Sequence, residues 1–149
     1  MLTNSKAMLD NVLTVLRNDA ALAGYVKSFS VGGMNCSHNL FPFIDIGDFS
    51  YRAGDLGAAS VWIIYDIDIY AGVKNLAPGL AYQGSESGVK GICDLCEDIL
   101  RVTAGNTFNN TFIVPVSRVQ NNPRYLFDKA ETICIGKVSF TGKAFVRHR

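Results

Sequence analysis

The sequence predicts an α+β fold, in which a mainly antiparallel sheet carries its helices packed on one face. Two observations predict the helices: apolar residues recur every three or four positions near the start of the chain and again over residues 89–100. A third predicts the sheet, because residues 61–70 alternate with a period of two and are rich in β-branched and aromatic types. We expect the 149 residues to form one domain, 1–149.

The N-terminal region is predicted to contain two helices. The apolar stripe of the first comprises Met8, Leu9, Val12, Leu13 and Leu16. Asn4 or Ser5 is suited to cap this helix, because a short polar side chain can accept a hydrogen bond from the first turn. A second, short helix over residues 20–27 is predicted to follow Asp19. Gly32 and Gly33 then break the helical pattern.

The next region is predicted to be a hairpin followed by a long loop. Strands are expected over residues 41–46 and 61–70, with a connection over 47–60 that is rich in glycine and polar residues. Residues 71–88 have little periodicity, and such a long loop suggests a segment that contacts a partner. A helix from Val89 is then expected to end near Gly105 and Asn106. Strands are expected within 111–119 and 131–146, with a bulge near Gly136.

The composition of the chain suggests that partners cover part of its surface, and it argues against nucleic acid and membrane as partners. Charged residues make up 18% of the chain and the mean hydropathy is +0.16, so the surface carries fewer charges than a free monomer usually does. The formal net charge of +1 provides no broad positive field, so we expect no direct nucleic-acid partner. No run approaches the roughly 18 apolar residues of a membrane-spanning helix, so we expect no membrane partner.

The cysteines are interpreted as structural. Cys93 and Cys96 form a C-x-x-C pair, which in principle suggests a redox or zinc site. Both lie on the apolar stripe of the predicted helix, and buried thiols are common in cores, so we expect neither metal nor cofactor. A zinc site completed by Cys36 and His38 is the alternative. Cys36 and His38 by themselves do not provide the oriented base that nucleophilic catalysis requires.

Three aspartates provide the enzymatic alternative. Asp66 and Asp68 share one face of a predicted strand, and Asp45 lies on the strand before it. Carboxylates on neighbouring strands can bind Mg²⁺ for phosphodiester cleavage. The net charge does not favour a nucleic-acid substrate, and no lysine stands at the short strand spacing common in such nucleases. We therefore predict no catalytic residues and no enzyme, with a Mg-dependent nuclease as the alternative.

Large apolar, aromatic and arginine side chains define candidate contact surfaces. On the predicted outer face of the sheet, they need cover from a partner or from another part of the chain. On the two predicted loops, they are of the types that anchor interfaces. The candidate interface residues are Phe49, Tyr51 and Arg52 on the 47–60 connection, Trp62, Ile64 and Tyr70 on the outer face, and Leu76, Leu80 and Tyr82 on the 71–88 loop.

This order of elements resembles the tail terminator or tail completion (neck) proteins of tailed bacteriophages. The resemblance extends over most of the chain, and the segments that carry it are LDNVLTVLRNDAALAGYVKSF, FPFIDIGD, VWIIYDIDIY, GVKGICDLCEDILRVTAGN and GKVSFTGKAFVRHR. It implies a structural virion subunit that assembles in the host cytoplasm into a homo-oligomeric, hexameric ring. The ring ends the tail tube, contacts the tube protein and joins it to the head connector or neck proteins. A head-completion or other neck adaptor subunit is the alternative.

Overall fold

A computed structural model describes residues 4–33, 40–56, 60–112, 116, 119–128 and 133–147. Within these ranges, residues 52–56, 60–62, 78, 119–128 and 145–147 are described by their backbone alone. The elements in chain order are α1 (Ser5–Asn18), α2 (Ala20–Tyr25), β1 (Ser28–Val31), β2 (Phe43–Leu56), β3 (Ser60–Lys74), α3 (Pro78–Gln83), α4 (Ile92–Thr103), β4 (Val119–Asp128) and β5 (Ile133–Arg147).

The strands form a five-stranded sheet in the order β1-β2-β3-β5-β4. β1 runs parallel to β2, and the other neighbouring pairs are antiparallel. β3 and β5 pair without a register shift over their whole length, from Ser60 opposite Arg147 to Lys74 opposite Ile133. The predicted α+β class with a mainly antiparallel sheet is therefore confirmed.

Alternate residues of β3 form the buried face of the sheet, as the period of two predicts. These residues are Tyr65, Ile67, Ile69, Ala71 and Val73. Helical side chains belong to the same buried cluster: Met8, Val12 and Leu16 from α1, and Leu95, Cys96 and Ile99 from α4. The two apolar stripes recognised in the sequence thus form one core together with the sheet.

Side-chain caps fix where the first two helices begin. Ala7 N donates to Asn4 Oδ1 at 2.8 Å, which confirms Asn4 as the cap of α1. Leu22 N donates to Asp19 Oδ2 at 3.1 Å, so Asp19 caps α2. Asp19 also accepts two hydrogen bonds from Arg101 of α4, at 2.8 and 3.2 Å, and these bonds tie the start of α2 to α4. One carboxylate therefore serves both a helix terminus and a contact between helices.

We expect Asp19→Ala to lower the free energy of unfolding by about 1 kcal/mol at neutral pH, because it removes the α2 cap. Hydrogen bonds from Arg101 lower the pKa of Asp19 below its usual value. A depressed pKa in the folded state contributes stability above the unfolded pKa, and that contribution is lost as the pH falls through the folded value. The difference between variant and parent should therefore shrink below about pH 4.

Urea unfolding at pH 7 and pH 3 measures this difference. Arg101→Ala is the matched control, because it removes the ion pair but keeps the cap; its effect should be smaller, since exposed pairs contribute little. An equal loss for Asp19→Ala at both pH values contradicts the electrostatic part of the argument.

Two predicted connections contain more regular structure than expected. Most of the 47–60 connection is strand: β2 continues to Leu56, with a register shift between Ile46 and Asp48. The ring of Tyr70 lies over Gly47, where a side chain would collide with it, which explains a glycine at this irregular position. Cross-strand pairing with β3 outweighs the weak strand propensity of this segment.

The 71–88 loop prediction is wrong for most of its length. Residues 71–74 end β3 and 78–83 form α3, whose Pro78 stands in its first turn, where a missing N–H costs nothing. The bulge expected near Gly136 is also wrong, because Gly136 pairs in register with Ala71. The change of parity has another cause: Ile133, on the opposite face, is itself buried. Strand β1 was not predicted, since the sequence analysis places no strand before residue 41.

Candidate interaction surface

The central strands are longer than the helices beside them. β3 has 15 residues and α4 has 12, which correspond to about 50 Å of strand and about 18 Å of helix. A single helix of this length therefore cannot cover β3 from end to end. We use the name arm for one end of the three central strands. It comprises residues 48–56 of β2, 60–68 of β3 and 139–147 of β5, which pair with one another.

One side of the arm presents three aromatic residues. Tyr65 is 2% exposed and belongs to the core. The rings of Phe49 and Tyr51, both on the neighbouring strand β2, lie against it, with centroids 6.2 and 6.1 Å from that of Tyr65. Phe49 is 37% and Tyr51 is 63% exposed. The predicted position of these two residues on a connection between strands is therefore wrong, because both stand on strand β2. Their exposure is as expected of contact residues.

Arg52 also belongs to β2, where its backbone pairs with Ile64. Ile64 is half-buried and shares a face of β3 with Asp66, Asp68 and Tyr70, as predicted. The backbone of Trp62 lies in the same strand, opposite Phe145. The side chains of Arg52 and Trp62 lie outside the described atoms.

Hydroxyl groups satisfy the aspartates of this outer face. Ser139 Oγ donates to Asp68 Oδ1 at 2.5 Å, and Thr141 Oγ1 donates to Asp66 Oδ1 at 2.7 Å. Tyr70 Oη donates to Asp48 Oδ2 at 3.1 Å. Burial, followed by this hydrogen bond, raises the pKa of Tyr70, which keeps it protonated and able to donate. The acidic groups therefore hold neighbouring strands together.

Asp45 occupies a different environment from Asp66 and Asp68. It is fully buried, and its Oδ1 accepts hydrogen bonds from Ser30 Oγ at 2.6 Å and from Gly33 N at 2.9 Å. These bonds attach β1 and the turn after it to β2. Among the described residues, no three His, Cys, Asp or Glu side chains are placed to hold a metal ion. The three aspartates of the nuclease hypothesis are thus not brought together as a metal site there.

A second exposed apolar patch lies beyond the C-terminal end of β3. Leu76 is 93% exposed in the turn before α3, and Tyr82 is 37% exposed on α3 itself. Leu80 is half-buried, while Ala81 between them is fully buried and fixes the helix on the core. The predicted contact residues therefore stand on a helix and its preceding turn. We call Leu76 and Tyr82 the α3 patch.

The cysteines follow the core interpretation where they are described. Cys96 is fully buried, and burial raises the pKa of its thiol to about 12, so it stays protonated. Its sulfur faces the backbone of Gly136 on β5. Burial also raises the pKa of the Cys134 thiol, and Cys93 is half-buried. Cys36 and His38 lie outside the described residues.

A polar cleft of about 420 Å³ opens at the C-terminal ends of α1 and α4. Asn18, Asn106 and Asn109 contribute amides to it, and its cation, Arg101, is bound to Asp19. Residues 108–110 follow with positive φ angles of 51, 58 and 62°, a conformation that asparagine tolerates better than most residues. No local pattern in the sequence indicates this cleft, because it is formed by segments far apart in the chain.

No helix in the described part of the chain is both long and apolar enough to cross a membrane. A scan of protein-family models and a search of curated proteins find no match to this chain.

Proposed function

We propose that this chain is a structural subunit of a tailed-bacteriophage virion. Copies form a hexameric ring that ends the tail tube and joins it to the head connector or neck proteins. The function consists of binding, and the chain catalyses no reaction. It acts in the tail or neck of the virion after assembly in the host cytoplasm.

One observation carries the proposal: two separate exposed apolar patches lie along the sheet, one beside the middle of β3 and one beyond its C-terminal end. Phe49 and Tyr51 are on the arm, and the α3 patch follows the last residue of β3. A ring requires head-to-tail contacts, in which each copy uses two different surfaces. Phe49 and Tyr51 pair with Ile67 and Tyr65, so about 23–30 Å of strand separates them from the end of β3 at Lys74, and the two surfaces do not overlap.

The low charge content and the family resemblance support the same function. Charged residues make up 18% of the chain, as expected of a surface that is largely covered in an assembly. The resemblance to tail terminator and tail completion proteins extends over most of the chain and supplies the class of assembly.

The ring is tested with variants of the α3 patch. We expect the parent to form a ring, seen by negative-stain electron microscopy and by light scattering coupled to gel filtration. Leu76→Ala with Tyr82→Ala should keep the circular dichroism spectrum but weaken assembly at least tenfold, because truncating an anchor typically costs about 2 kcal/mol or more. Val89→Ala is the matched control, since Val89 is also 37% exposed but lies outside the patch.

The possible outcomes test the proposed function and the α3 patch separately. A parent protein that remains monomeric at high concentration, alone and with tail tube protein, contradicts the proposed function. A ring that forms equally well with the double variant contradicts the α3 patch as the contact.

A further inference from the structure

The distal half of β2 is an open edge of the sheet. β1 pairs with β2 only from Phe43 to Ile46. From Asp48 onward β2 pairs with β3 on one side, and no strand among the described residues pairs with it on the other. The N–H and C=O groups on an open edge of this kind form a template for another strand.

The two edges of the sheet differ in how they are protected. β4, at the other edge, contains Pro123 and has two register shifts against β5, features that discourage pairing with another chain. In β2 the pairing with β3 is regular from Asp48 to Ala53, and this segment contains no proline. The side chains of residues 48–51 are all exposed. The β2 edge is therefore the one available for pairing.

The sequence of this edge is complementary to itself. Residues 48–52 read Asp-Phe-Ser-Tyr-Arg, so an acid and a base lie at equal distances from a central serine, and two aromatic residues flank it. If two copies run antiparallel about a two-fold axis at Ser50, residue 48 faces 52, residue 49 faces 51, and 50 faces 50. Opposite charges and aromatic pairs directly across antiparallel strands are both stabilising.

The faces of the strand agree with this register. Asp48, Ser50 and Arg52 pair with residues of the outer face of β3, whereas Phe49 and Tyr51 pair with Ile67 and Tyr65 of the core face. In the two-fold arrangement, positions 48 and 52 of both copies therefore share one face of the sheet, and positions 49 and 51 share the other. No other alignment of this segment with its own copy matches both sets.

We propose that a second copy of this chain pairs with the β2 edge through residues 48–52, in antiparallel orientation about a two-fold axis at Ser50. The contact is closed, because a two-fold axis uses the same edge of both copies. It is isologous, unlike the head-to-tail contacts of the ring, but it uses Phe49 and Tyr51, so the two contacts compete for these residues. A sheet of ten strands results, in which β2 is no longer an edge.

Disulfide trapping tests the register directly. Residues facing each other across antiparallel strands have Cα atoms about 4.5–5.5 Å apart, within the range that a disulfide spans. Ser50→Cys should give a covalent dimer on mild oxidation at micromolar concentration. Ser87→Cys, another exposed serine, is the control that corrects for collision and for the native cysteines. A dimer yield for Ser50→Cys no higher than for Ser87→Cys overturns the proposal.

A charge exchange tests the pairing of residues 48 and 52. We expect Asp48→Arg or Arg52→Asp alone to raise the dimer dissociation constant roughly tenfold or more, and the double variant to restore it, as measured by analytical ultracentrifugation. Tyr70→Phe removes the hydrogen bond that Asp48 accepts within the chain and should leave dimerisation unchanged. A double variant no better than the single variants contradicts the register.

These results are separable from the ring. Trapping at residue 50 without rings in the parent protein supports the edge pairing and contradicts the proposed function. Rings in the parent protein without trapping at residue 50 support the proposed function and contradict the edge pairing.

Discussion

Replacing Phe140 with alanine is expected to lower the free energy of unfolding by about 3–5 kcal/mol, the largest effect we expect of any single substitution. Phe140 is 1% exposed. Its ring stacks on Phe108 with a centroid distance of 5.4 Å and an interplanar angle of 9°, and meets Phe112 edge-on at 6.2 Å. Phe108 and Phe112 also contact each other at 5.6 Å. The substitution therefore removes a large buried side chain together with two aromatic contacts.

The cluster connects β5 to the segment after α4, so its loss should affect the whole fold. Chemical denaturation followed by circular dichroism measures the change. Phe140→Leu keeps much of the volume and should lose less, while Val89→Ala, at an exposed position, should have little effect. If Phe140→Ala is as stable as Val89→Ala, the aromatic cluster does not contribute as the structure indicates.

Gly136→Ala is expected to destabilise the fold by about 1–3 kcal/mol, because the helix layer meets the sheet at this residue. A methyl group on Gly136 would stand 2.5 Å from Cys96 Sγ and 3.2 Å from Ile92 Cγ1. Both neighbours are fully buried, so neither can move aside into solvent. The substitution should therefore push α4 away from β5.

A double-mutant cycle with Cys96→Ala isolates this contact. Cys96→Ala alone leaves a small cavity, and the methyl group of Gly136→Ala fills part of it. The double variant should therefore lose less unfolding free energy than the sum of the two single losses. Gly24→Ala is the control: no atom lies within 4 Å of its added Cβ, and alanine in α2 should stabilise the helix slightly. Strict additivity of Gly136→Ala and Cys96→Ala contradicts the predicted collision.

The same contact explains why a cysteine stands at position 96. Cys96 is small enough to approach a strand that carries glycine at the point of contact, and its buried thiol stays protonated. The spacing of Cys93 and Cys96 follows from the helical periodicity of α4, so a redox or zinc role is not needed to account for it.

The contact surfaces were only partly predictable. Ile64, Asp66, Asp68 and Tyr70 share a face because a period of two holds along any regular strand, whatever lies beside it. The prediction that Phe49 and Tyr51 lie on a connection was wrong, because the strand that contains them forms only through its pairing with β3. Likewise, Leu80 and Tyr82 lie on α3, whose six residues are too few to give a clear helical period.

The sequence by itself determined the helices α1 and α4 and the buried face of β3, because each depends on residues close together in the chain. Tertiary structure alone decided that β1 lies parallel to β2, that Asp45 is buried beneath β1 and the turn after it, and that residues 48–56 form an open edge. These features depend on backbone pairing and packing between distant segments, and local propensity carries no information about which segments will meet.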